Sequence, residues 1–179
     1  MKIIKIESTP NKHTNKFVLD IILSKKMREY TQPDKNSLLS KSLMKTNQIA
    51  SICIYNNFIS VTKKDLIYWK NIKTKVKRII TRNLKSEFNL HNSQKIETDT
   101  RIQHSALFDK IQEVIDNYIQ PIIAADGGYI TLHSVTNNIV SIQMHGACIN
   151  CPSSTVTLKS GIEVLIKHYF PKIVKVILI

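Results

Sequence analysis

The sequence predicts an α+β protein of two small domains, and three observations carry that prediction. Short alternating apolar runs recur between helical patterns, a polar stretch without periodicity divides the chain, and the charge differs on its two sides. With 179 residues and a hydrophobic fraction of 42%, the chain is large enough for one or two domains with buried cores. From Met1 to Ser105 there are 21 Lys or Arg against 8 Asp or Glu; Ala106 to Ile179 holds 5 of each. The whole excess of +13 is therefore N-terminal. The boundaries read from these changes are a first domain over 1–86, a linker over 87–105 and a second domain over 106–179.

In the first domain, IIKI at 3–6 and KFVLDIIL at 16–23 have the composition of strands, separated by the turn-rich STPNKHTN. Leu38, Leu39, Leu43 and Met44 form a short helical stripe. IASICIY at 49–55 and FISVT at 58–62 read as a hairpin turned at Asn56 and Asn57, residues that tolerate the left-handed conformation. Asp65 is placed to cap a helix whose Leu66, Trp69, Ile72, Val76, Ile79, Ile80 and Leu84 recur every three or four residues, with lysines on the other face. The order expected is β-β-α-β-β-α.

In the second domain, Phe108, Ile111, Val114 or Ile115, and Tyr118 mark a helix halted at or just beyond Pro121. Asp126, Gly127 and Gly128 supply a turn, and YITLHSV and NIVSIQMH follow as strands joined at Asn137 and Asn138. Val156, Leu158, Ile162, Leu165, Ile166 and Tyr169 give a helix closed by Pro171, and KIVKVILI ends the chain as a strand. The order is α-β-β-α-β, with a Cys-x-x-Cys loop before the second helix.

Composition narrows the function. No run approaches the roughly 20 apolar residues that span a bilayer, and the opening MKIIKIESTP lacks a secretory apolar segment, so a cytoplasmic protein without a membrane partner is expected. Three cysteines in such a setting favour thiol or metal chemistry over disulfides. The lysine excess would suit nucleic acid, but arginine numbers only four and the excess is confined to one half, so no nucleic-acid partner is expected. No Ser-His-Asp set, paired carboxylates or glycine-rich phosphate loop stands out.

The chemistry concentrates in GACINCPSST, 146–155. Gly146 and Ala147 let the backbone wrap closely, Cys148 and Cys151 lie on the loop, and Pro152 fits a first helical position. A helix N-terminus beside the thiols would favour thiolate or an anionic metal–thiolate centre. Ser153, Ser154 and Thr155 can cap that helix or donate hydrogen bonds to a bound group. Soft thiolates select zinc, copper(I) or iron–sulfur clusters, and zinc and iron–sulfur centres commonly take four donors, whereas this loop offers two. Cys53, inside a strand, reads as a small buried hydrophobe, and His145 as a residue facing along its strand. An isologous dimer supplies the missing pair from a second copy. A dithiol redox motif or a zinc-binding module remains the alternative for the same Cys-x-x-Cys.

ADGGYITLHSV, GACINCPSSTVTLKSGIEVLIK and the Pro171-led strand resemble the C-terminal domain of NifU-like iron–sulfur cluster scaffold and carrier proteins. STPNKHTNKF, FISVTK and Trp69 resemble the N-terminal domain of the Nfu-type members, with Lys12 and Asn47-Gln48 departing from the usual pattern. The resemblance implies a carrier, not an enzyme, whose Cys148 and Cys151 bind a [4Fe-4S] cluster across a homodimer. It also implies transfer of that cluster to apo iron–sulfur proteins, with an upstream assembly scaffold as a possible donor.

Overall fold

A computed structural model describes residues 1–93, 105–149, 151 and 159–179. Two sheets, each with its own apolar core, bear out the α+β expectation. The N-terminal sheet has five antiparallel strands: β1 (Ile3–Ser8), β2 (Thr14–Leu19), β3 (Ser24–Tyr30), β4 (Ile49–Asn56) and β5 (Phe58–Lys63), in the spatial order β1-β2-β5-β4-β3. Helices α1 (Leu38–Met44) and α2 (Trp69–Ser93) complete this domain. Phe17, Ile52, Ile54, Ile59 and Val61 from the strands meet Leu39 and Leu43 of α1 and Ile72, Val76, Ile80 and Leu84 of α2. That stripe at helical spacing is the apolar face foreseen for α2.

Three features of this domain differ from the expectation. SKKMREY forms β3, which sequence pattern leaves out because a charged edge strand lacks apolar alternation; edge position is where such charge is tolerated. α2 begins at Trp69, so Asp65 does not cap it and Leu66 stands 92% exposed outside the stripe. Asp65 instead lies 3.4 Å from His13 Nδ1. At its other end α2 runs to Ser93, past residue 87 where the linker was placed. The polar composition there hides two anchors: Glu87 is fully buried and its carboxylate accepts from the Ser37 hydroxyl, whose oxygen lies 3.0 and 2.9 Å from the two carboxylate oxygens, while Phe88 packs against the core. Ser37 also caps α1, accepting from the Ser40 amide. The rest of the expected linker, 94–104, lies outside the described residues.

The second domain opens with α3 (Ala106–Val114), capped by Ser105, a π-helical turn (Ile115–Ile119) and α4 (Gln120–Ala125). Helical structure thus passes through Pro121 and ends beyond it, at Ala125. The Gln120 amide reaches back to the Ile115 carbonyl, and this widened turn accommodates a proline that has no amide and whose ring crowds the preceding turn. Strands β6 (Gly128–Thr136) and β7 (Ile139–Gly146) form the expected hairpin, with Asn137 and Asn138 at φ 51° and 59°. Both central residues in the left-handed region is the signature of a type I′ turn. Helix α5 (Lys159–Tyr169) then crosses to β8 (Lys175–Leu178), which pairs parallel with β7. Ile111, Ile115, Ile123, Ile130, Val140, Ile142, Ile162, Ile166 and Val176 fill the core between helices and sheet.

Candidate functional site

The cysteine loop leaves the end of β7 and is folded back onto the ADGG turn. Gly127 has φ 79° and Gly146 φ 63°, conformations that a side chain makes costly. The Gly127 carbonyl accepts from the Ala147 amide at 3.1 Å, and two further turn bonds follow, Cys148 to the His145 carbonyl and Ile149 to that of Gly146. Gly128, paired with Gly146 in the β6–β7 ladder, is where Cys148 rests: a Cβ on Gly128 would collide with Cys148 Sγ and come within 3.0 Å of Ile123. The glycine pair read as a turn is thus also the seat of a thiol.

Cys148 and Cys151 are 7% and 4% exposed. Burial, then the neighbouring Cys151 and Asp126, pushes the Cys148 thiol up to about 12. The leading cause is burial rather than any charge. Cys148 sits in the apolar core of its own domain. Asn150 and Pro152 to Leu158, with the proposed capping residues Ser153, Ser154 and Thr155, lie outside the described residues.

The other ligand candidates are resolved by their partners. His145 uses both ring nitrogens, Nε2 with Thr131 Oγ1 at 2.9 Å and Nδ1 with Glu29 Oε2 at 2.7 Å. Cys53 is fully buried in β4, as a small core residue should be, and burial raises its thiol. Among the described residues no group of three or more His, Cys, Asp or Glu side chains is arranged to hold a metal ion. Chemically, the described part of the loop offers two soft donors and no complete four-donor cage.

Family models match both halves of the chain: the NifU-like domain over 111–177, and the scaffold protein Nfu/NifU N-terminal domain over 4–87. The chain belongs to the Nfu/NifU scaffold family. Two curated relatives are the mitochondrial NFU1 iron-sulfur cluster scaffold homologs of Drosophila willistoni and Drosophila persimilis, 30% and 29% identical over 176 residues. Each alignment takes in 95% of this chain and 61% or 62% of the relative, so the chain spans about three fifths of the length of those relatives. A crystal structure of a Staphylococcus aureus protein, 30% identical, covers 45% of this chain and 99% of its own at a TM-score of 0.40.

Sequence reasoning placed the NifU-like loop but missed what holds it. Asn11, Glu29 and Ser60, all in the Nfu N-terminal domain, bond directly to the loop or the ADGG turn. The one available signal was polarity inside strands otherwise buried on both faces: Ser60 and Cys53 are fully or almost fully buried beside isoleucines. Among the described residues no helix is long and apolar enough to cross a membrane.

Proposed function

We propose that this chain is a cytoplasmic iron–sulfur cluster carrier. In this reading Cys148 and Cys151 of each of two copies bind one [4Fe-4S] cluster as cargo, and the loaded homodimer passes it to apo iron–sulfur proteins. The single observation that carries the reading is the pair of thiols on one NifU-like loop, with no third donor among the described residues to complete a cage. A cluster bonded to two thiolates per chain is held at a surface between copies by few protein contacts. Recipient thiols can therefore displace the carrier's ligands one at a time, which suits transfer rather than retention. The chain's part is to present two thiolates and then yield them; the redox and Lewis-acid chemistry belongs to whatever enzyme receives the cluster. An upstream scaffold is the donor in the same scheme.

Anaerobic reconstitution with iron and sulfide tests it. Wild type is expected to take up iron and sulfide in equal amounts, at one cluster per pair of chains, and Cys148→Ser and Cys151→Ser to lose that uptake. A comparable cluster yield in either variant would overturn the ligand assignment. Tight zinc with refusal of iron would replace the carrier with a zinc module, and disulfide reductase turnover would replace it with a dithiol enzyme.

A further inference from the structure

One face of the N-terminal sheet carries a row of side chains in register across all five strands. Glu7 on β1 pairs with Lys16 on β2, Lys16 with Ser60 on β5, Ser60 with Cys53 on β4, and Cys53 with Glu29 on β3. Their neighbours Phe17, Ile59, Ile52 and Ile54 belong to the core with α1 and α2, so the row lies on the opposite face, as the two-residue period of a strand requires.

From Lys16 to Glu29, each member of the row meets the cysteine-bearing end of the second domain. Lys16 Nζ donates to the Ala125 carbonyl at 3.0 Å, and Ser60 Oγ to the Gly127 carbonyl at 2.5 Å. Cys53 lies under Gly146, where a Cβ would stand 3.3 Å from its sulfur. Glu29 accepts from the Gly146 amide at 3.1 Å with one oxygen and faces His145 Nδ1 with the other. From the turn before β2, Asn11, 1% exposed, donates through Nδ2 to the Ala147 and Ile149 carbonyls at 3.2 and 2.7 Å. Those carbonyls stand on either side of Cys148.

We propose that this row, with Asn11, is a docking cradle for the metal-free cysteine loop, and that loading a cluster requires the loop to leave it. The proposal rests on the carrier reading and adds how the site is controlled. Sharing one cluster between copies needs Cys148 and Cys151 of each chain turned toward the other chain. In the docked loop both thiols are turned inward, and the backbone flanking Cys148 is fixed by another domain. Glycine at 146 is required by the same arrangement, since a side chain there would strike the Gly127 carbonyl and crowd Cys53. The cradle adds a few hydrogen bonds of ordinary strength to the packing of Cys148 within its own domain, so docking slows loading without preventing it.

The test is the alkylation rate of the metal-free full chain by iodoacetamide, with labelled cysteines located by peptide mass. Asn11→Ala combined with Glu29→Ala is expected to speed labelling of Cys148 and Cys151 by about tenfold, the factor that loss of such bonds produces, with Cys53 staying slow. Cluster uptake should be faster and its final amount unchanged. Equal labelling rates in wild type and a folded double variant would overturn the cradle. Should the double variant not fold, hydrogen exchange on wild type decides: the peptide holding Gly146 is expected to be protected without metal and to lose protection on loading, and unchanged protection would overturn the proposal. Absence of cluster uptake by every protein would count against the carrier reading alone, because labelling judges the cradle by itself.

Discussion

β4 around Cys53 and the turn around Cys148 both hold a buried thiol that burial pushes upward, yet their backbones are tied down in different ways. Cys53 sits in an inner strand, opposite Ser60 on one side and Glu29 on the other, so exposing it means opening two ladders. Cys148 sits on a turn closed by two short-range bonds, with a single backbone bond from Ala147 to the Gly127 carbonyl and side-chain bonds from Asn11 and Glu29 to its neighbours. Releasing a turn leaves both sheets intact. Burial alone therefore does not separate a packing thiol from a proposed ligand; the freedom of the backbone does.

The comparison breaks most visibly in cluster uptake. Cys53→Ser should still load in an iron and sulfide assay, at a stability cost of roughly 1–3 kcal/mol for placing a hydroxyl in a fully buried site, whereas Cys148→Ser should not load. Equal loss in both would erase the distinction drawn between strand and turn.

Next in size is a pair of glycines. Gly128→Ala should destabilise the second domain by about 1–3 kcal/mol, because the added methyl overlaps Cys148 and Ile123. Gly161→Ala, in open space on α5, should stabilise by roughly 0.5–1 kcal/mol through helix propensity. Urea unfolding followed by circular dichroism measures both, and opposite signs are expected.

Alkaline pH tests the burial common to both regions. Burial, with nearby negative charge, raises Tyr30 and Tyr129 to about 12, as burial does for Cys148. The folded chain then keeps protons that the unfolded chain releases, so stability present at neutral pH falls as pH climbs from about 10 to about 12. Urea midpoints across that window should drop, and Tyr129→Phe should shallow the slope.

The smallest effect concerns the hairpin that leads into the loop. Asn137→Gly should leave stability within about 0.5 kcal/mol, while Asn137→Ala should cost about 1 kcal/mol for the left-handed conformation, read from the same unfolding curves.

Much of this architecture was legible in the sequence because it is written in short-range patterns. The stripe Ile72, Val76, Ile80 and Leu84, the Asn137-Asn138 turn and the alternation of β6 and β7 each follow from the local period of their element. β3 escaped because Ser24–Tyr30 is charged, and the end of α2 escaped because its anchor is a buried carboxylate rather than an apolar residue. At the site, Cys148 and Cys151 were visible from spacing, but their setting was not. Asn11 lies 136 residues from Ala147 and Glu29 lies 117 from Gly146 in the chain, and no local pattern links residues so far apart.

The central claim is that two chains share one cluster through Cys148 and Cys151. Native mass spectrometry of the anaerobically loaded wild-type chain tests it most directly. The expected species is two chains carrying one [4Fe-4S] cluster, falling to single metal-free chains when the cluster is chelated away. A single chain that keeps an intact cluster would contradict it.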